Sequence, residues 1–333
     1  MSIPPTTALL ALAGAAWAAI FALRGRLVSA CMLYLVVIAA LGYNFYTFRL
    51  GITVSFDRLM LPFLIGMYLL HRKMGRTVPK PVSRVDICLF FLIGILFADT
   101  VYGGFTIEGA EDMASPAYRL LTGYFVPLLI YWIARNSPLD RSTLRIVYAA
   151  LLGFGVYLAF TGIMEATGSY WAVYPKYITD PELGIHFGRA RGPMLQSVCL
   201  GLYIDAALLA LWMLAKDMKG RGILLIAIIA PLLCAGAFFT YTRSVWIGAV
   251  GGLAALLFLT LRRRWRYLVL GTIAASAIIL VTFKIDSILG FERGQDAQTV
   301  RRSAESRASF AYVSWLMFQD RPLIGYGFGQ FPV

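Results

Sequence analysis

Three arginines stand apart in this chain. Arg189 in HFGRARGPM, Arg243 in FTYTRSVW and Arg307 in SAESRASFAY have no acidic residue three or four positions away. A planar, permanently charged guanidinium with five N–H donors is the side chain suited to grip a phosphate or diphosphate. The competing reading is structural, with pairing to Glu165, Asp180, Glu182 or a lipid phosphate. Arg301 and Arg302 differ, because Glu305 lies at i+4 and i+3 and satisfies them on a helix. Helical spacing puts Arg307 instead on a face with Val300, Ala311, Ser314 and Phe318, where a charge is costly unless something anionic meets it.

Few other residues offer proton or metal chemistry. There are two histidines. His186, three residues before Arg189, could act as a base near neutral pH, with an ordinary loop histidine as the simpler reading. His71, in HRKMGR, reads as a solvated contact to lipid headgroups. No His/Asp cluster shows ligand spacing and no outer D-x-D occurs, so no metal and no cofactor is expected. Cys31, Cys88, Cys199 and Cys234 lie in or beside apolar runs without a C-x-x-C pair and read as small packing residues. Asp205 is the ionisable residue deep in an apolar run, either satisfied by packing or a proton or ion site. Tyr170, Trp171, Tyr174 and Tyr177 suit a membrane–water boundary, and a platform for sugar rings is the alternative.

The elements that must position these residues are membrane helices. Hydrophobic residues make up 59% of the 333 positions and charged ones 14%, with mean hydropathy +0.73, a composition that excludes an ordinary soluble domain. Apolar runs at 6–23, 27–42, 53–70, 86–100, 116–134, 144–162, 194–215, 222–239, 244–261 and 267–283 are each near the length that crosses about 30 Å of hydrocarbon as helix. They do not alternate as barrel strands would. The expected fold is therefore all-α, a polytopic transmembrane bundle of about ten spans. Residues 1–333 form a single membrane domain, ending in a partly helical outer segment at 284–333 with a helix from Thr299 to Phe318.

Charge orients the bundle. Of the 30 basic residues, 17 fall in segments on one side, with three acids, while the opposite side is balanced. The whole net charge of +13 is thus a positive-inside signal and not a nucleic-acid footprint. It puts the N-terminus and residues 284–333 outside, on the periplasmic face of a bacterial inner membrane. The basic cluster at Arg262–Arg266 is expected to meet membrane lipids.

Several strings together resemble the O-antigen ligase and polymerase family. SRASFAYVSWLMFQDRPLIGYGFGQF is similar to its Arg-led helix followed by Pro and G-x-G-x-x-F, here Arg307, Pro322, Gly325, Gly327, Gly329 and Phe331. RARGPM, with Arg189 and Gly192, resembles its R-x-x-G signature before a span. TRSVW, with Arg243, resembles its T-R-S element, and Glu165 is similar to a frequent family acid. The resemblance covers roughly 150–333. It implies a glycosyltransferase of surface polysaccharide assembly (O-antigen, lipopolysaccharide or exopolysaccharide) that is inverting and metal-independent. Its donor would be an undecaprenyl-diphosphate-linked glycan and its acceptor another glycan or lipid A–core. By the same resemblance Arg189 and Arg307 hold the diphosphate, Arg243 and Glu165 support the pocket, and Gly192, Pro322, Gly325, Gly327 and Gly329 shape it. The family's base is a His beyond the glycine motif, which would fall after Val333; the chain accordingly reads as a fragment. The rival reading is a multi-helix transporter or flippase for a lipid-linked or anionic substrate, for which Asp205 and not Arg307 would be essential.

Overall fold

The computed structural model describes residues 5–42, 44–45, 47–50, 52–106, 114–218, 220–260, 266–267, 271, 297–323 and 325–331. They fall into two compact units, one from Met1–Thr77 and Ser137–Ile285, the other from Val78–Asn136 and Asp286–Val333.

The first unit holds α1 (Pro5–Arg24), α2 (Leu27–Ala40), a hairpin of β1 (Thr47–Leu50) and β2 (Ile52–Ser55), and α3 (Phe56–Lys73). After the chain returns to this unit come α7 (Arg141–Ala166), α8 (Ser197–Lys216), α9 (Gly220–Phe239) and α10 (Arg243–Thr260). Its core lies where α7, α8 and α9 pack, around Leu158, Leu200, Ile204, Leu211 and Leu233. Small residues let these backbones approach: a Cβ on Gly155 would stand 2.1 Å from that of Ala207, and one on Gly236 2.7 Å from Ala159. Such close contacts hold helices together where lipid removes the hydrophobic drive. Val245, fully buried, brings α10 against Gly201 of α8 in the same way. Asp140 caps α7, its Oδ1 accepting from the Thr143 amide at 2.7 Å.

The second unit holds α4 (Arg84–Gly103), α5 (Pro116–Leu120), a π-helical turn (Leu121–Phe125), α6 (Val126–Arg135) and α11 (Ala297–Asp320). The widened turn has a local cause. Pro127 has no N–H for the carbonyl of Gly123, so the ladder is broken where the wide turn sits. Ser83 and Asp86 form a capping box at the start of α4. Asp86 is fully buried and also takes the Arg135 guanidinium at 2.7 Å and the Tyr131 hydroxyl at 2.9 Å, which clamps α4 to α6. α11 covers the helix expected at Thr299–Phe318; the side chains of Arg301 and Arg302, and hence their pairing with Glu305, lie outside the described ones.

Among the described residues five helices are long and apolar enough to cross a membrane: Arg84–Gly103, Pro116–Arg135, Arg141–Ala166, Ser197–Lys216 and Gly220–Phe239. Leu27–Ala40 and Arg243–Leu259 are apolar but shorter. The fold is helical as expected, apart from the hairpin, but the described helices do not reach ten spans. The run at 53–70 starts at the second residue of β2 and continues into α3, which carries Asp57, Arg58, His71, Arg72 and Lys73 within its bounds. The run at 267–283 lies outside the described residues, apart from two positions, as does most of Arg262–Arg266.

His71 corrects one expectation. It is 4% exposed, and its Nε2 donates to the Ala22 carbonyl of α1 at 2.8 Å. The ring continues a buried stripe of α3 through Leu64, Met67 and Tyr68, at the three- and four-residue spacing that places all four on one helix face. Its basic neighbours Arg72 and Lys73 are exposed.

Candidate functional site

In the first unit the site is built from the loop between α7 and α8 and from the turn between α9 and α10. The loop is fixed by a buried ion pair. Arg191 is completely buried and Glu165, in the last turn of α7, is 3% exposed. Arg191 Nε donates to Glu165 Oε1 at 2.9 Å, and the amides of Arg191 and Gly192 donate to Oε2 at 2.7 and 2.8 Å. The rest of the guanidinium is used up by loop carbonyls. Nη1 reaches Leu183 at 2.7 Å, and Nη2 reaches Ile178 at 2.7 Å and Asp180 at 3.3 Å. Its flat face lies over the Phe187 ring at 4.7 Å. A buried charge survives only with this degree of satisfaction.

Gly192 follows directly and takes φ +59°; a Cβ there would meet Leu200 Cδ1 at 2.7 Å. Position 192 therefore admits only glycine without displacing α8. Tyr177 pins the loop from the other side, its hydroxyl shared between the carbonyls of Ala40 at 3.1 Å and Pro193 at 2.9 Å. Burial pushes that phenol up, with the nearby Tyr157 adding to the effect. Tyr170, Tyr174 and Trp171 remain exposed, Trp171 most of all at 83%.

Arg189 lies two residues before this anchor and is buried, 6% exposed. The next residue, Ala190, donates its amide to the Phe239 carbonyl at the end of α9, at 3.0 Å. The chain then turns through Thr240, Tyr241 at φ +48° and Thr242 into Arg243, which opens α10 and is exposed. Trp246 holds that turn: its Nε1 donates to the Ala237 carbonyl at 3.0 Å and its ring stacks on Phe238 at 5.6 Å. So the Arg189 loop and the Arg243 turn hang on one end of α9. His186, three residues before Arg189, is exposed at φ +62°.

Arg307 belongs to the second unit. It is exposed on α11, and among the described residues it makes no hydrogen bond or ion pair. The glycine motif follows α11 and docks on the end of α4. Gly327, at φ +102°, sits back to back with Gly103, so that a Cβ on it would stand 2.4 Å from the Gly103 Cα. Gln330 Nε2 donates to the Gly104 carbonyl at 3.0 Å, and Phe328 meets the Tyr124 ring edge-on at 5.6 Å. Gly329, at φ +75°, lies against Pro116, and Gly325 takes φ +69°. Arg321 lies over the Tyr326 ring at 4.7 Å, and the Tyr326 hydroxyl donates to Asp320, a bond that raises the phenol's proton affinity. Pro322 begins the turn between.

The structure thus gathers Arg189, Gly192, Glu165 and Arg243 in one unit, and Arg307 with Gly325, Gly327 and Gly329 in the other. Arg191 is the residue that sequence reasoning missed. Its signal was the second Arg of R-A-R-G, lying beside a glycine and downstream of a carboxylate that closes an apolar helix. Among the described residues no three His, Cys, Asp or Glu side chains converge as metal ligands would.

No curated protein and no solved structure matches the chain. A family profile does match, over the last third of the chain, the stretch that holds the Arg243 turn, α11 with Arg307, and the docked glycine motif. Residues 224–333 match the family model described as O-antigen ligase, the family that the arginine and glycine motifs resemble.

Proposed function

We propose that the protein is a membrane glycosyltransferase of surface polysaccharide assembly, transferring or polymerising a glycan from an undecaprenyl-diphosphate carrier at the periplasmic face. The family match supports a role in membrane glycan assembly with a lipid-linked glycan as substrate. The observation that carries the finer reading is Arg307: a guanidinium exposed and unpaired among the described residues, on the helix that leads into the glycine motif. In this reading Arg307 holds the diphosphate and stabilises the negative charge that develops on it as the glycosidic bond breaks, and Arg189 and Arg243 are the arginines of the first unit to test for the same role. Diphosphate leaves readily, so the reaction needs no strong acid on that side. Holding two lipid-tethered partners at one surface supplies the rest of the rate through proximity. A base must accept the proton of the acceptor hydroxyl. Of the two histidines His71 is buried on the Ala22 carbonyl, which leaves His186, exposed on the Arg189 loop, as the one to test. Polymerisation of repeat units is preferred over transfer to lipid A–core.

One observation favours a second reading, a transporter or flippase. Asp205 lies within α8, and its Oδ1 is buried without a hydrogen bond. The two readings separate in a strain lacking the gene. Lipid-linked repeat units should accumulate there and clear on complementation with wild type or Asp205→Asn, but not with Arg307→Ala. Clearance by Arg307→Ala and failure of Asp205→Asn would replace the transferase by the transporter.

A further inference from the structure

An apolar groove runs between α2 and α7, with a volume of about 560 Å3. The two helices lie side by side in the same direction: Arg26 Nη1 donates to Thr143 Oγ1 at 2.9 Å near one end, and Tyr177 reaches Ala40 at the other. Along α7 the groove extends from Ile146 to Tyr157, where Tyr174 and Pro175 of the following loop close it and the Tyr157 hydroxyl donates to the Tyr174 carbonyl at 2.6 Å. Eleven helical steps make it about 16 Å long. That is close to the ~15 Å hydrocarbon depth of one leaflet.

The open end carries charge. A second cavity, of about 530 Å3, is lined by Arg141, Ser142 and Arg145 and shares Ile146 with the groove. Arg145 is tied to Asp217 at 3.2 Å, with both side chains more than half exposed. Arg141, in the first turn of α7, is exposed and makes no ion pair among the described residues. A cationic mouth thus opens on an apolar slot of single-leaflet depth, closed at its far end.

We propose that this is a binding site for an anionic glycerophospholipid, the phosphate on Arg141 with Arg145 and Ser142 beside it, and one acyl chain in the groove. The charge favours an anionic over a zwitterionic headgroup by about five-fold per basic residue engaged. The closed end and the leaflet-length slot suit a fatty acyl chain and not a much longer polyprenyl chain. The proposal is independent of the glycosyl-transfer reading, since it uses none of Arg189, Arg243 or Arg307.

Gly153 lines the groove, and a Cβ built on it meets nothing within 4 Å, so Gly153→Leu fills the slot without a clash at its base. The purified chain in detergent is titrated with dioleoylphosphatidylglycerol and, separately, dioleoylphosphatidylcholine, and bound lipid is read by native mass spectrometry. Wild type should retain the phosphatidylglycerol in preference. Arg141→Gln, at an exposed position, should weaken that retention about five-fold, and Gly153→Leu should remove the preference. Equal retention of the two lipids by wild type would overturn the proposal. So would unchanged retention of phosphatidylglycerol in Arg141→Gln, which decides the matter even where Gly153→Leu fails to fold. Displacement of the bound lipid by a polyprenyl phosphate but not by added phosphatidylglycerol would overturn it too.

Discussion

Replacing Glu165 with Gln tests what this acid does. Glu165 accepts three hydrogen bonds at 2.7–2.9 Å from a fully buried Arg191 and two loop amides. A glutamine can place its carbonyl oxygen where Oε2 receives the two amides. Its NH2 group then faces the Nε–H of Arg191, donor against donor, and the guanidinium keeps its charge with no counter-charge. Removing one member of a buried pair costs about 3–5 kcal/mol, and each ~1.4 kcal/mol is tenfold in the folding equilibrium, so Glu165→Gln should shift that equilibrium by roughly 100- to 4000-fold. Arg191→Met leaves Glu165 as the buried unpaired charge and should cost a similar amount. The double change removes both charges and should recover part of the loss, a coupling that a double-mutant cycle reads directly. The assay is thermal unfolding of the detergent-solubilised chain, with limited proteolysis of residues 167–196 as a local readout. A substrate contact would behave differently. If Glu165→Gln abolished glycan assembly while unfolding and loop proteolysis stayed as in wild type, the structural assignment of this pair would be refuted.

Two other outcomes follow from the geometry. Gly325 and Gly327 both hold left-handed φ, but only Gly327 is pressed against backbone, so Gly325→Ala should cost about 1–2 kcal/mol while Gly327→Ala should cost more and undock residues 325–331 from the end of α4, seen as faster amide exchange there. Asp140 is held below the usual carboxylate range by hydrogen bonds from Thr143 first and by Arg26 after that. A depressed folded pKa means that its stabilisation is complete above the unfolded value near ~3.9 and is lost as pH falls through the lower folded value. Melting of wild type between about pH 5 and 2 should therefore steepen relative to Asp140→Asn, which caps α7 without titrating; parallel pH profiles would show that the cap contributes nothing.

Much of the helical layout could be read in advance because long apolar runs carry their own signal. The segment Arg141–Ala166 contains the whole run expected at 144–162, and α11 contains the helix expected at Thr299–Phe318. Local chemistry also shows in sequence, as in the Ser83–Asp86 capping box, whose partners are three residues apart. What escaped was long-range pairing. Asp86 counts as a loop acid until α6 brings Arg135 and Tyr131 to it from 45 or more residues away. His71 reads as solvated because its sequence neighbours are basic, although its register with Leu64 and Met67 already marked the buried face. The hairpin straddles the start of the run expected at 53–70: the sequence of 47–55 alternates around position 51, but it is short, and a hydropathy reading absorbs its last three residues into a span.

The same limit explains the arginines. Arg189 and Arg191 are two residues apart and indistinguishable by composition, and the rule that looked for acids three or four positions away treats them alike. Their fates are set by Glu165, more than twenty residues upstream, whose two oxygens are both occupied by Arg191 and its neighbouring amides. A guanidinium taken fully out of water must have its charge and its donors satisfied within the protein, and Arg191 meets that demand with one carboxylate and three carbonyls. Such a group has no capacity left for a ligand. Exposure differs: Arg243 at the head of α10 and Arg307 on α11 keep contact with solvent, the setting in which the proposed diphosphate would exchange water for charge-assisted hydrogen bonds. Isolation from acids along the sequence is therefore an incomplete criterion for an anion-binding arginine. Burial alone does not divide Arg191 from Arg189 either, since Arg189 is also buried; it is the complete satisfaction of its charge and donors that assigns Arg191 to the scaffold that shapes the loop.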